Sequence, residues 1–185
     1  MKRAVFLDRD GVLNRAEVRD GKSYAPRRLA EFRLFPRVAE AVQGLREAGL
    51  VIVVVTNQPD IGAGRVSLET VEAMHERLRG RIPVDAIEVC PHVPQEGCTC
   101  RKPSAGMLLA AADRIGIDLQ QSFMVGDRYT DILAGERAGC RTVLIHRGCA
   151  GPRLAEPDLV ATSLPLAARW ILGLTGKGHP GRYST

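Results

Sequence analysis

An α/β fold built on a doubly wound parallel sheet is predicted by three features of the chain. Short apolar runs alternate with longer segments of helical periodicity along most of its length. The run at residues 50–55 is continuously apolar, as expected of a strand covered on both faces rather than one. Helical segments close on glycine, at Gly49, Gly116 and Gly139, and lead promptly into the next apolar run. A chain of 185 residues and 20.1 kDa suits one such domain, long enough to close a full core.

The elements follow in order. Residues 3–8 read as the first strand, and residues 36–49 as a helix opened by Pro36 in its first turn. Residues 50–55 form the second strand. Ser67 is placed to cap a helix running to Arg79, with Glu69 in its first turn, and residues 86–90 form a third strand. A helix from Ser104 to Ile115, a strand at 122–125, a helix at 130–138 and a strand at 141–145 continue the alternation. Residues 159–162 and 164–172 add a last strand and helix. The domain is therefore expected over residues 1–172, with 173–185, rich in glycine and proline, as a flexible tail.

Composition narrows the partners. Apolar residues are 45% and charged residues 25%, the balance of an ordinary globular protein. A net charge of +5 and a pI near 9.2 would suit nucleic acid or a small phosphorylated metabolite. Aromatics are only 4%, and the arginines are scattered from Arg3 to Arg182, so stacking platforms and a continuous basic stripe are both lacking. The small metabolite is favoured and nucleic acid is not. No apolar run could span a bilayer and no export signal is visible, so a cytoplasmic protein without membrane contact is expected.

Acidic residues stand where strands end. Asp8 and Asp10 follow the first strand, Thr56 and Asn57 the second, and Asp127, Arg128 and Asp131 the fourth, while Arg101 and Lys102 precede a helix. In a parallel sheet these segments converge at one edge, where ligands bind. Asp8 and Asp10 alone could serve merely to cap the turn before Gly11. Joined to the other segments, they describe a magnesium-dependent phosphoryl site: a hard cation takes carboxylate oxygens, and phosphate needs fixed positive charge.

Three of the five cysteines crowd into one loop, in Cys90-Pro-His92 and Cys98-Thr-Cys100. Such a cluster in a chain without an export signal reads as a tetrahedral zinc site of three thiolates and an imidazole. With no open coordination position the zinc is structural, a staple that presents Arg101 and Lys102. Cys140 and Cys149 have no such neighbours and read as ordinary thiols.

Asp8-Arg-Asp10-Gly-Val-Leu, Thr56-Asn57, Lys102 and Gly126-Asp127-x-x-x-Asp131 resemble, in order, the four motifs of the haloacid dehalogenase superfamily, and the resemblance covers nearly all of residues 4–147. It implies a Rossmann-like fold with Asp8 as a nucleophile that forms an aspartyl-phosphate and Asp10 as the general acid and base. It further implies magnesium on Asp8, Asp127 and the backbone carbonyl of Asp10, and a phosphoryl group held by Thr56, Asn57 and Lys102. Asp131 could support the metal or occupy a helix N-terminus. With its Cys-Pro-His and Cys-x-Cys-Arg-Lys-Pro segments, the chain resembles more narrowly the small zinc-containing phosphatases of the heptose 1,7-bisphosphate 7-phosphatase and histidinol-phosphate phosphatase family. These lack a cap domain and often act as monomers.

One segment departs from that pattern. Heptose enzymes usually continue Thr-Asn-Gln with Ser-Gly-Ile-Ala-Arg-Gly, whereas here Ala63 occupies the arginine position and the basic group is Arg65. Arg128 stands where lysine is common, and Arg101 suits a distal anion or a surface acid. Tyr24 could meet a ligand or pin its own loop. A heptose bisphosphate is the expected substrate. Histidinol phosphate, whose amine would suit Asp60, is the alternative, with a zinc-stapled nucleic-acid module or a phosphatase of DNA ends behind it. His75 reads as solvent-facing, and His146 and His179 receive no role.

Overall fold

The computed structural model describes residues 1–19, 22–148 and 152–176. In chain order its elements are β1 (Ala4–Leu7), β2 (Glu17–Arg19), β3 (Lys22–Tyr24), α1 (Val38–Glu47), β4 (Val51–Asn57), α2 (Pro59–Gly62), α3 (Leu68–Arg79), β5 (Ala86–Cys90), α4 (Gly106–Ile115), β6 (Phe123–Gly126), α5 (Tyr129–Ala138), β7 (Arg141–Ile145), β8 (Leu159–Ala161) and α6 (Leu164–Leu174). Six strands form one parallel sheet in the order β5-β4-β1-β6-β7-β8.

Each strand divides its side chains between two layers, because successive residues point to opposite faces. Val5 and Leu7 of β1, with Ile52 and Val54 of β4, pack against α1, α3 and α6. Ala4 and Phe6, with Val53 and Val55, pack against α4 and α5. Both faces are therefore dry, which is why the strands carry no polar alternation. Phe6 and Leu7 are fully buried, and truncating either to alanine would cost about 2–5 kcal/mol.

Strand order reverses beside β1. The chain winds outward through β4 and β5, then returns across β1 to build β6, β7 and β8. Crossovers on either side of β1 and β6 leave by opposite faces, which opens a crevice beyond their carboxyl ends. Asp8 and Asp127 follow those two strands directly.

The expected strands and main helices are present, with four adjustments. The antiparallel pair β2–β3 was not foreseen: its strands are three residues long and largely polar, too short to show a period. At α1 the helix begins after Pro36, since Arg37 holds a left-handed φ of 60°, and α4 begins at Gly106 instead of Ser104. Gly173 and Leu174 belong to α6, so the expected tail starts too early, and residues 177–185 lie outside the described residues. Between β1 and β4 the described residues hold only the hairpin, a 3-10 turn and α1, so no cap domain stands over the strand ends. Among the described residues, no helix is long and apolar enough to cross a membrane.

Candidate active site

The turn after β1 builds the first half of the site. Asp8 still donates its N–H to Val125, so it is held on the ladder, and the chain then folds back with Leu13 bonded to Arg9 and Gly11 to Asn14. Gly11 has a φ of 98°, and a Cβ there would lie 2.1 Å from Asp127 Oδ2. Glycine is required on both counts, and Asp127 comes up against the turn only because position 11 has no side chain.

Carboxylate oxygens of Asp8, Asp127 and Asp131 all lie within 4.8 Å of one another, and all three residues are buried. Lys102 bridges two of the three. Its ammonium lies 2.6 Å from Asp8 Oδ1 and 2.7 Å from Asp131 Oδ1, and it donates to the Val55 carbonyl at 2.9 Å. Its backbone is clamped by Asn57, whose Oδ1 accepts from the Lys102 N–H and whose Nδ2 donates to the Lys102 carbonyl, each at 3.1 Å. Asp131 Oδ2 accepts the Arg128 N–H at 3.0 Å at the start of α5, so the one residue caps a helix and anchors the lysine.

One ammonium does not balance three buried acids. Burial, reinforced by neighbouring carboxylates, pushes Asp8 up to about 7 and Asp127 up to about 8. Burial alone would lower Lys102, but Asp131 and Asp8 hold it above its ordinary value, so it stays charged. Asp127 Oδ1 is buried without a hydrogen-bond partner. An orphaned carboxylate oxygen among convergent acids fits a hard divalent cation, which would take the place of the protons.

A cavity of about 440 Å³ opens outward from this point. Asp8, Asp10, Lys102 and Asp131 form its inner wall, and Tyr24, Asn57, Arg65, Arg101 and Arg128 stand around the outside. Thr56 is not on the wall. It is buried, and its hydroxyl accepts from Gln58 Nε2 at 2.8 Å. Asn57 reaches the cavity, but its amide is committed to Lys102, so it supports a phosphate ligand as much as it could be one. Tyr24 arrives on β3, a placement that only the hairpin explains.

Asp60, on α2, is shared by two guanidinium groups, Arg27 Nε at 2.6 Å and Arg65 Nη1 at 2.7 Å. Burial opposes its ionisation, yet the two arginines hold it below the usual carboxylate range. Arg101 lines the cavity and donates to the His92 carbonyl at 3.3 Å, tying the cavity wall to the cysteine loop.

In that loop Cys90 Sγ lies 3.6 Å from Cys98 Sγ and 3.6 Å from His92 Nδ1, Cys100 Sγ lies 3.4 Å from Cys98 Sγ, and His92 Nδ1 lies 3.2 Å from Cys100 Sγ. These separations are far beyond a disulfide of about 2.05 Å. They are close to the roughly 3.7 Å between sulfurs that a tetrahedral cation with metal–sulfur bonds near 2.3 Å would set. The loop thus holds a second metal donor set. Cys140 is buried and its thiol is pushed up to about 12 by burial, an inert group as expected. Cys149, His179 and Arg182 lie outside the described residues.

His75 corrects the sequence reading. It is fully buried, not solvent-facing. The signal was available in its spacing: Val71, Met74, His75 and Leu78 form the buried stripe of α3, and the charged residues flanking His75 belong to the other face. Arg9, Asn14 and Gln58 all contact Asp10; Arg9 and Gln58 lie inside the Asp-Arg-Asp-Gly and Thr-Asn-Gln segments, but the motifs assign no role to any of the three.

Comparison with known proteins accords with this geometry. A HAD-hydrolase-like family model matches residues 99–167. Over 165 residues the chain is 39% identical to the D-glycero-beta-D-manno-heptose-1,7-bisphosphate 7-phosphatase of Pseudomonas putida, with 86% of this chain and 91% of the relative covered. The chain belongs to the haloacid dehalogenase-like phosphatases. It is a phosphoric monoester hydrolase. Within the family, the D-glycero-D-manno-heptose-1,7-bisphosphate 7-phosphatase of Thermosynechococcus vestitus is 38% identical over 192 residues, covering 91% of this chain and 94% of that one. The crystal structure of D,D-heptose 1,7-bisphosphate phosphatase from B. bronchiseptica, complexed with magnesium and phosphate, matches with a TM-score of 0.81 and 33% identity, over 94% of this chain and 99% of that chain.

Proposed function

We propose that this phosphatase removes the 7-phosphate of D-glycero-D-manno-heptose 1,7-bisphosphate, in the cytoplasm and as a monomer. One observation carries the reading: the cavity joins an inner end of buried acids and Lys102 to an outer rim bearing Arg65, Arg101 and Arg128. The inner end suits a phosphoryl group undergoing transfer. The outer cations suit a second, unreacted phosphate, because arginine grips phosphate through parallel N–H donors.

Asp8 acts as the nucleophile. Its carboxylate oxygen bonds to phosphorus as the ester bond breaks, and Asp10 gives its proton to the departing sugar oxygen. Asp10, now a carboxylate, takes a proton from the water that attacks phosphorus, releasing inorganic phosphate and restoring Asp8. Lys102 holds the transferred group and Asn57 keeps Lys102 in place, while Thr56, buried behind the wall, steadies Gln58. Asp8, Asp127 and the Asp10 carbonyl would hold magnesium, which supplies charge stabilisation on the phosphoryl oxygens when bound. Cys90, His92, Cys98 and Cys100 would hold a structural zinc.

Histidinol phosphate fits less well, since the acid expected to meet its amine, Asp60, is already shared by Arg27 and Arg65. The test is phosphate release from the α and β anomers of the heptose bisphosphate and from histidinol phosphate, side by side with magnesium. A strong kcat/KM preference for one heptose anomer is expected. Preference for histidinol phosphate would overturn the assignment.

A further inference from the structure

The Asp10 carboxylate is gripped by three residues. Asn14 Nδ2 donates to Oδ1 at 2.8 Å, Gln58 Nε2 donates to Oδ2 at 2.7 Å, and the Arg9 guanidinium covers both oxygens, with Nη2 3.0 Å from Oδ2 and Nε 3.3 Å from Oδ1. Arg9 is itself fully buried, an unusual place for a guanidinium, and it lies 5.7 Å over the Phe32 ring. Two of its nitrogens face Asp10. The remaining one, Nη1, faces His75 Nε2 at 3.2 Å.

A guanidinium can only donate, so Nε2 of His75 must accept. The ring proton then sits on Nδ1, which lies 3.2 Å from Glu72 Oε1 and donates to it. Burial and the Arg9 charge both hold His75 below its ordinary pKa, in keeping with a neutral ring. A continuous series therefore runs from Glu72, half exposed on α3, through His75 and Arg9 to Asp10. It joins residues 66 apart in the chain, His75 and Arg9.

We propose that His75 is a positioning residue for Asp10, acting through Arg9. Without an acceptor at Nε2, a buried Nη1 would be left unsatisfied, and the guanidinium would turn to find a partner. The fork on Asp10 would turn with it, and the carboxyl would lose its aim at the leaving oxygen. An apolar side chain of similar size would keep the packing of α3 but not this effect.

The inference rests on the reading of Asp10 as acid and base, and leaving-group dependence tests the two separately. The measurement is kcat/KM for alkyl and aryl phosphate monoesters, since an alkoxide needs a proton as it leaves and a nitrophenolate does not. Asp10→Asn should lose about 100-fold or more on alkyl esters and far less on aryl esters. His75→Leu should show the same selectivity at about 10-fold. His75→Gln, whose side-chain oxygen can accept from Arg9, should return towards wild type. Glu72→Ala, at the exposed end, should show the selectivity at a few-fold and serves as the test if His75→Leu does not fold. Equal losses on both ester classes in His75→Leu, or an unchanged profile, would overturn the positioning role while leaving Asp10 intact. A non-selective Asp10→Asn would overturn the reading of Asp10, and the relay with it.

Discussion

Lys102 has almost no conformational freedom: its ammonium meets Asp8, Asp131 and the Val55 carbonyl, and Asn57 holds both of its backbone polar groups. The amide of Asn57 is thus a device for placing a lysine. Asn57→Ala should lower kcat/KM by about 10- to 100-fold with little change in melting temperature, since the lost clamp displaces Lys102 by a small distance with a large catalytic effect. Asp8→Asn should abolish turnover while circular dichroism and melting temperature remain those of a folded protein. Measurable turnover in that variant would remove Asp8 as the nucleophile. Arg65, steadied by Asp60, stands at the outer rim, where a charge-assisted hydrogen bond to phosphate is worth about 1.5–3 kcal/mol. Arg65→Ala should therefore raise KM for the bisphosphate by about 10-fold or more and leave a monophosphate largely unaffected. A uniform rise for both would place Arg65 outside the distal site.

At the scale of elements, the cysteine loop supports more than the lysine that follows it. Gln58 donates its N–H to the Cys90 carbonyl at 2.7 Å, and Gly62 donates to Pro91 at 3.0 Å. A Cβ on Gly62 would stand 2.6 Å from the Pro91 oxygen, so α2 is seated directly on the loop backbone. A metal held by Cys90, His92, Cys98 and Cys100 would therefore order two cavity walls at once: Arg101 and Lys102 on one side, Asp60 and Arg65 on the other. With zinc in this donor set as proposed, metal analysis should find one zinc per chain in the parent protein and close to none in Cys98→Ser, with reduced activity. Hydrogen exchange should accelerate over residues 58–65 as well as over 90–102. Faster exchange confined to the cysteine loop would show that α2 stands without it. The hairpin β2–β3 contributes in the same spirit, carrying Tyr24 to the cavity on two strands too short to have been read from their composition.

For the whole molecule, the buried acids link stability to pH. In the metal-free protein Asp8 and Asp127 keep their protons up to about 7 and about 8, whereas an unfolded chain releases them from the ordinary value of 3.8. The native state binds more protons in that interval, so stability falls as pH rises from about 4 to about 8. Melting temperature without metal should decline by several degrees across this window, and magnesium should restore it by an amount that grows with pH. A flat profile would mean that the acids are not buried together. What could be read from residue order was the strand and helix succession, the carboxylates at strand ends and the cysteine spacing, because each is a local signal of period, composition or separation. Gly11 admitting Asp127, Lys102 shared by Asp8 and Asp131, Asp60 claimed by Arg27 and Arg65, and His75 behind Arg9 could not be read that way. Each depends on which strands lie side by side and on rotamers chosen in the packed interior, and such pairings between distant residues leave no periodic trace in the chain. Residue order alone settles which chemistry is available at the sheet edge; which oxygen faces which donor is a matter of packing, because only the folded interior brings those groups within hydrogen-bond range.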